Sequence, residues 1–530
     1  MKNLLYAILS GLLLALAWPT YGFPLLIFFA FVPLLFAEFR LRDAKSKHIK
    51  LKVLGLAYIS FFLWNLITTY WLYYSTLFGA AFAILVNSLL MALLFLLYHV
   101  VAKRTNFSGA AAFFISLWIV FEKLHLNWEF SWPWLNLGNV FAVTHNWVQW
   151  YEYTGAFGGT LWVLLVNFAI LKSVLLYRQF HEKTILWRGI IKSGVFIAIP
   201  IAISYILVNN YTEGNQTLEA VILQPNIDPY TEKYNVTDSR IGELLLNLAS
   251  EKITENTALV VAPETVFADG TVLPAFQRSE AAFYGRQLLE KYPGVNFLSG
   301  ISFYDRFSDP ARVGKQTNQI RPNDWYNDYN SAFLMNGESL PQIYHKSKLV
   351  VGVENFPYQS VLRPILGDVM IDLGGTVAMK TTQEQRSVFE LNHGSSTAPI
   401  ICYESVYGEY VTGYVSNGAD FLTIITNDAW WSDTQGHKQH LNYAKLRAIE
   451  TRRSIVRSAN TGISAFINEK GDILQTLGYA EVGSLRGEIT LNNKETFYVK
   501  HGDYIARVAH LLALFLFLFA VVPFKRIVKR

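Results

Sequence analysis

The sequence predicts a multi-pass α-helical membrane domain of eight transmembrane helices joined to an extracytoplasmic α/β domain. Three observations predict it: a series of apolar runs near bilayer length, an alternation of charge in the loops between them, and a later stretch where short β-type runs alternate with amphipathic helices. The 530 residues are 52% hydrophobic and 15% aromatic. Charged residues make up 16%, against about 25% in typical globular chains, and the mean hydropathy is +0.24. That balance excludes a disordered, collagenous or coiled-coil chain. A single cysteine excludes an intramolecular disulfide and any CxxC metal or redox motif.

The apolar runs fall at residues 4–18, 23–39, 53–73, 78–101, 110–124, 158–176, 190–208 and 505–524. Crossing the hydrocarbon core takes roughly 20 residues, with about 17 as the lower limit, so the first, second and fifth runs are short on their own. The turn at 19–22 joins the first two into a helical hairpin that helps both insert. Lys2 and Ala15-Leu16-Ala17 also fit a cleaved signal peptide, but Trp18-Pro19 and a second apolar run follow at once.

Loop charges set the orientation. Arg40, Arg42, Lys45, Lys47 and Lys50 crowd one loop, Lys103 and Arg104 the next alternate loop, and Lys172, Arg178, Lys183, Arg188 and Lys192 the one after. The chain ends on Lys525, Arg526, Lys529 and Arg530, while the intervening loops at 19–22, 74–77 and 126–157 hold no Lys or Arg. The positive-inside rule then places both termini in the cytoplasm and the long segment between the seventh and eighth helices outside. The expected domains are 1–208 with seven helices, 217–499 outside, and 503–530 with the eighth helix and a basic tail. Net charge follows the same division, at +9 for 1–208, −8 for 209–500 and +4 for 501–530. Such a split fits two solvents, a bilayer and water, rather than a nucleic-acid footprint.

The outer loop 126–157 carries Trp128, Phe130, Trp132, Trp134, Phe141, Trp147, Trp150, Tyr151 and Tyr153. An interfacial aromatic belt explains this, and so does a floor that handles lipid; the sequence leaves both open.

From 217 to 499 strands are expected at 218–223, 258–262, 296–301, 331–335, 399–403, 421–426, 462–467 and 483–491. Helices are expected at 239–252, 279–291 and 437–458. In the last, Leu441, Ala444, Ala448 and Ile455 recur at helical spacing opposite Lys445, Arg452 and Arg453. Neither HExxH nor GxSxG occurs, and 313–317 lacks the upstream glycine and the Ser or Thr of a phosphate loop. His437 and His440 read as a polar helix start, since a metal would need a third ligand.

Cys402 ends the apolar run Pro399-Ile400-Ile401. A strand end entering a turn suits a nucleophile, and a buried cysteine acting as a small hydrophobe suits it equally. Two other strand ends bear on the choice. Val260-Val261-Ala262-Pro263-Glu264 drives a carboxylate to the end of a hydrophobic strand, where burial favours a usable base. Ile343-Tyr344-His345-Lys346 brings an amine out of another. A thiol needs a base, and a tetrahedral intermediate needs a cation or N–H donors at its oxyanion.

Pro263-Glu264-Thr265, the run Tyr344-His345-Lys346-Ser347-Lys348-Leu349-Val350, and Ile401-Cys402-Tyr403-Glu404 resemble the three catalytic motifs of the nitrilase superfamily. Thr426-Asn427-Asp428-Ala429-Trp430-Trp431, His437 to Glu450, Arg457 to Gly462 and the hairpin around Pro19–Pro24 resemble one family within it, the apolipoprotein N-acyltransferases. The resemblance covers nearly the whole chain. It implies a nitrilase-like α-β-β-α sandwich with Glu264 as general base, Cys402 as nucleophile, and Lys346 with the Tyr403 backbone N–H at the oxyanion. Glu354 and Glu404 match supporting carboxylates. Trp132, Trp134, Tyr234, Phe356, Tyr358 and Trp430 are candidate lipid contacts.

Two departures from the family pattern stand out: Val351-Gly352-Val353 replaces Pro-Phe-Gly, and Lys233-Tyr234 follows Gln224-Pro225-Asn226 where a tryptophan is common.

The implied activity is ping-pong acyl transfer, without cofactor or metal, in a bacterial inner membrane. A phospholipid is the donor, the diacylglyceryl-cysteine of an apolipoprotein the acceptor, and a monomer is expected. The alternatives are a membrane-tethered nitrilase-type amidase acting on a small soluble amide, and a transporter with an outer binding domain. The first leaves the many helices unexplained, and the second lacks midmembrane charges, the helices offering chiefly Glu122 and Lys123 near one end.

Overall fold

Hydrogen-bond bookkeeping in lipid governs the helical part of the chain. The structure is a computed structural model describing residues 1–42, 47–228, 236–362, 364 and 379–522. Lys45, Lys233, Tyr234 and the basic tail from Lys525 lie outside the described residues. The chain divides into two units, one of Met1–Tyr73, Phe78–Asn210 and His501–Arg530, the other of Tyr74–Leu77 and Tyr211–Lys500.

Among the described residues seven helical spans are long and apolar enough to cross a membrane: Pro24–Arg42, Ile49–Tyr74, Leu77–Ala102, Phe107–His125, Ala156–Phe180, Lys183–Asn210 and Tyr504–Val521. The expected eighth, Lys2–Ala17, is apolar but only 16 residues long. Pro19 limits it, since a residue before proline is pushed out of the helical region, and Trp18 is extended at φ −76°, ψ 143°.

The span Pro24–Arg42 is interrupted at Phe31. Asn167 repairs the break: its Oδ1 accepts from the Phe31 amide (2.9 Å) and its Nδ2 donates to the Ile27 carbonyl (2.9 Å). No water is available in hydrocarbon to do this instead. An aromatic core surrounds the break, with Phe31, Phe61 and Phe114 at 5.0, 5.6 and 5.7 Å from Trp118.

Two buried carboxylates in this unit are fully engaged. Glu38 meets Arg42 Nη2 and His99 Nδ1, each at 2.6 Å. Glu122 accepts from Trp118 Nε1 (3.0 Å), the Leu137 amide (2.7 Å) and Thr160 Oγ1 (2.7 Å). Through Leu137 it pins the 126–157 segment, which folds into the short turns Leu137–Ala142, His145–Trp147 and Tyr151–Thr154. The Tyr151 hydroxyl donates to the Gly138 carbonyl (2.8 Å). Trp134 is buried edge-on against Trp71 at 4.9 Å, and Trp132 is half-buried.

The second unit holds β1 (Gln216–Gln224), β2 (Thr257–Val261), β3 (Phe267–Val272), β4 (Asn296–Phe307), β5 (Asn318–Arg321), β6 (Asp324–Met335) and β7 (Gln342–His345). It continues with β8 (Phe389–Glu390), β9 (Ser396–Ile401), β10 (Phe421–Thr426), β11 (Ile455–Ala459), β12 (Ser464–Ile467), β13 (Ile473–Leu477) and β14 (Gly483–Leu491). One sheet runs β14-β1-β2-β4-β6-β5, with β3 on β4 and β7 on β6; the other runs β13-β12-β11-β10-β9-β8.

Ser458 Oγ donates across the sheets to the Leu223 carbonyl (2.8 Å), and Ser464 Oγ to Gln224 Oε1 (2.5 Å). Helices Asp238–Ser250 and Glu280–Lys291 share a core with the first sheet, through Leu245, Leu248, Ala281, Val260, Phe297 and Phe333. Helix Gly408–Ser416 packs with β9 of the second, and Gln435–Thr451 packs on that helix and on the short turns that follow β9 and β10. This is the α-β-β-α arrangement.

The expected helix 437–458 is corrected. It ends at Thr451, where Arg452 takes a left-handed conformation (φ +49°), and Ile455 begins β11. Its cations are also not on a wet face. Lys445, Arg452 and Arg453 are buried, with Arg453 donating to the carbonyls of Ala419 (2.7 Å) and Lys494 (2.8 Å). His437 and His440 are buried too.

Candidate active site

Strand ends bring the site together. β2 runs parallel to β4 and ends at Val261, so Ala262-Pro263-Glu264 leaves the sheet beside β4. Gly300 on β4 makes that approach possible: a Cβ there would sit 2.4 Å from the Thr265 amide nitrogen and 2.5 Å from the Pro263 carbonyl oxygen. β7 pairs with β6 at His345 and Ser331, which sets Lys346 beside Asn330. In the second sheet β9 and β10 are parallel with Ile401 opposite Ile425, so Cys402 and Asn427-Asp428 emerge at neighbouring C-terminal ends. Ligand and catalytic groups in α/β proteins favour that edge.

Lys346 Nζ is the hub of the first cluster. It donates to Glu264 Oε1 (2.9 Å) and Glu354 Oε1 (3.0 Å), with its own side chain 1% exposed. Asn330 Nδ2 donates to the same two carboxylates, at 2.8 Å each. Glu264 Oε2 accepts from the Asn427 amide (3.0 Å), and Glu354 Oε2 from the Val350 amide (2.9 Å). Burial works against the Lys346 ammonium, but the two carboxylates outweigh it and hold its pKa well above the ordinary amine value. For Glu354 burial pushes up, and Lys346 with its hydrogen bonds pulls the carboxyl below its ordinary value.

Cys402 is 6% exposed and has φ +49°, opening the short helical turn Cys402–Val406. Burial first, then Glu264, push its thiol well above the ordinary range, with Lys346 pulling the other way. The resting group is therefore a thiol that needs a base, not a ready thiolate. Tyr403 packs edge-on against Tyr407 at 5.2 Å.

Glu404 is fully buried and joins the two strand ends. It accepts from the amides of Ile401 (2.8 Å) and Ser347 (2.7 Å) and from the hydroxyls of Tyr344 (2.6 Å), Tyr410 (3.1 Å) and Tyr414 (3.3 Å). Burial raises its pKa despite those bonds.

The candidate lipid contacts divide. Phe356 is 2% exposed, Tyr358 is 39% exposed at φ +48°, and Trp430 is half-buried, its carbonyl accepting from Ser75 Oγ (3.0 Å). Sequence reasoning did not find Asn330, whose partners lie 66 and 24 residues away. The only local signal was a polar side chain at the entry to an apolar strand.

Residues 10–169 match the apolipoprotein N-acyltransferase N-terminal domain, and residues 315–496 match the carbon-nitrogen hydrolase domain. The apolipoprotein N-acyltransferase of Chlorobaculum tepidum is 27% identical over 521 residues, covering 96% of this chain and 94% of that one. Its namesake in Thermotoga maritima is 24% identical over 528 residues, covering 96% and 92%. The chain belongs to the apolipoprotein N-acyltransferase family. It is a membrane protein of that family, with an α/β carbon-nitrogen hydrolase domain. Among solved structures, a nitrilase-superfamily amidase from Nesterenkonia overlaps it at TM-score 0.37 and 15% identity, over 56% of this chain and 98% of the amidase.

One atom each from Cys402, Asp428 and His440 lies within 4.8 Å of the others, a spacing a metal ion accepts. The surroundings do not fit one. Both His440 nitrogens have partners, and Arg457 Nη2 lies 2.6 Å from Asp428 Oδ2, supplying the cation a metal would bring.

His345, next to the hub, stacks on Tyr329 at 4.1 Å, and burial lowers its pKa from 6.5 to about 4. A histidine depressed in the fold binds its proton more readily once unfolded. Its share of stability is therefore present above pH 6.5 and is lost as pH falls towards about 4. The unfolding midpoint of the full chain should drop across that window, and His345→Gln should flatten the drop. An equal slope in the variant would contradict the assignment.

Proposed function

We propose that this acyltransferase moves a fatty acyl chain from a membrane phospholipid to the α-amine of an apolipoprotein's diacylglyceryl-cysteine, through a thioester on Cys402. The observation that carries the reading is the buried Glu264–Lys346–Glu354 cluster, whose Glu264 and Lys346 both act electrostatically on the buried Cys402 thiol, with seven membrane-length helices among the described residues.

Glu264 takes the thiol proton as Sγ attacks the ester carbonyl carbon. The ammonium of Lys346 and the amide of Tyr403 stabilise the oxyanion. The intermediate collapses by breaking the C–O bond, and Glu264 returns the proton to the departing lysophospholipid oxygen. The acceptor amine then attacks the thioester, Glu264 takes one amine proton, and the sulfur leaves to regain it.

Glu354 holds Lys346, while Glu404 holds the turn after Cys402. Trp132, Trp134, Tyr234, Phe356, Tyr358 and Trp430 are the proposed lipid contacts, with Tyr358 the most accessible among those described. The loop charges favour both termini on the cytoplasmic side, residues 217–499 outside and residues 503–530 returning through the bilayer; the bacterial inner membrane and a monomer are carried over with the family reading. A soluble amide substrate would leave the seven helices without a role.

In spheroplasts, an added diacylglyceryl-cysteine peptide should gain a third acyl chain, and external protease should cut within 217–499 and stop the reaction. No triacylated product would refute the activity, and cleavage only from the cytoplasmic side would refute the orientation.

A further inference from the structure

The nucleophile occupies a backbone conformation that needs support. At φ +49° Cys402 is left-handed, which costs a non-glycine residue roughly 1–2 kcal/mol, and such strain persists only where the surroundings over-determine it. Its carbonyl oxygen is the point of control. Ser405 Oγ donates to it (2.8 Å), and His440 Nε2 lies 3.2 Å away. Ser405 Oγ and His440 Nε2 are also 2.9 Å apart, so the two lock each other.

His440 is in turn fixed from behind. Its Nδ1 meets Asp428 Oδ1 at 2.9 Å, and Asp428 is clamped by Thr426 Oγ1 (2.8 Å) and Arg457 Nη2 (2.6 Å). Asp428, His440 and Arg457 are fully buried. The space behind Asp428 is kept open by Gly462, where a Cβ would stand 2.6 Å from Asp428 Oδ2 and 2.9 Å from its Cβ. Residues from β11, from the end of β10 and from helix Gln435–Thr451 thus form one chain of contacts, Arg457 to Asp428 to His440, that ends on the carbonyl group of the nucleophile. A buried ion pair meant only to join these elements has no need to reach it.

We propose that Asp428 and His440 are positioning residues for acyl transfer: the pair grips the Cys402 carbonyl and so holds the left-handed turn that aims Sγ. Neither exchanges a proton with substrate. The inference rests on Cys402 being the nucleophile.

The test compares wild type with His440→Ala, His440→Gln, Ser405→Ala and Gly462→Ala, using the full chain with phospholipid and a diacylglyceryl-cysteine peptide. Ser405→Ala removes the second grip on the same carbonyl, together with its contact to His440, and leaves Asp428 paired with Arg457, and Gly462→Ala displaces Asp428 without removing a hydrogen-bonding group. For His440→Ala, kcat should fall roughly 10–100-fold, the cost of a small misplacement of a reacting atom. KM for phospholipid should be unchanged, and the pH profile should stay in place because His440 passes no proton to or from substrate. His440→Gln should recover part of the loss, and Gly462→Ala should resemble His440→Ala.

Wild-type kcat in folded His440→Ala overturns the proposal, as does a displaced pH profile, which would make His440 a proton carrier. Should His440→Ala not fold, undiminished kcat in both Ser405→Ala and Gly462→Ala overturns it equally. A wild-type protein that forms no acyl adduct on Cys402 removes the nucleophile reading itself, whereas adducts at equal rates in wild type and variants remove only the positioning role.

Discussion

Cys402→Ala should abolish N-acylation, with a loss of roughly 10³-fold or more and no residual acyl-enzyme, while the protein keeps its fold. A covalent route has no substitute for its nucleophile, and this is the only cysteine in the chain. The fold should survive because alanine tolerates the left-handed backbone about as well as cysteine does, and removing one sulfur opens a small cavity costing on the order of 1–2 kcal/mol. Cys402→Ser should do little better, since a buried hydroxyl is a weaker nucleophile beside the same base. The check is product formation alongside the unfolding midpoint. Activity above a few per cent of wild type in the folded alanine variant would contradict the covalent route.

Lys346→Met should have the second large effect, and it should act on stability as well as rate. Without the ammonium, Glu264 and Glu354 share only Asn330 Nδ2 between them in a buried pocket. Removing one member of a buried ion pair costs about 3–5 kcal/mol, and losing a charge at the oxyanion slows turnover by roughly 10²–10³. The two losses separate in a double variant. Adding Glu354→Gln removes one of the two uncompensated charges, so Lys346→Met/Glu354→Gln should recover part of the stability and none of the rate. Recovery of both would make Lys346 a structural cation only.

The general layout was legible because it depends on local pattern. Apolar length and strand ends are written in neighbouring residues, which is why Glu264, Lys346 and Cys402 could be picked out as polar groups leaving apolar runs. The errors have the opposite character. Ile455 and Val456 prolong the helical spacing past Thr451, and only the left-handed turn at Arg452 breaks it. Arg453 reads as solvated until its carbonyl partners at Ala419 and Lys494 come round from 34 and 41 residues away. His440 does lie in the first turns of a helix, as expected, but its partners, Asp428 and the Cys402 carbonyl, are 12 and 38 residues distant and left no local trace. The first helix is present and apolar as expected, and its 16 residues end at Ala17 because Pro19 follows.

Intact-mass measurement of the full-length protein, incubated with phospholipid and no acceptor, tests the central claim most directly. The account predicts a single acyl adduct on Cys402, discharged when a diacylglyceryl-cysteine peptide is added. It predicts no adduct in Glu264→Gln, where the thiol keeps its proton. Product formation with no adduct on Cys402 at any time, or full and rapid acylation of Glu264→Gln, would contradict it.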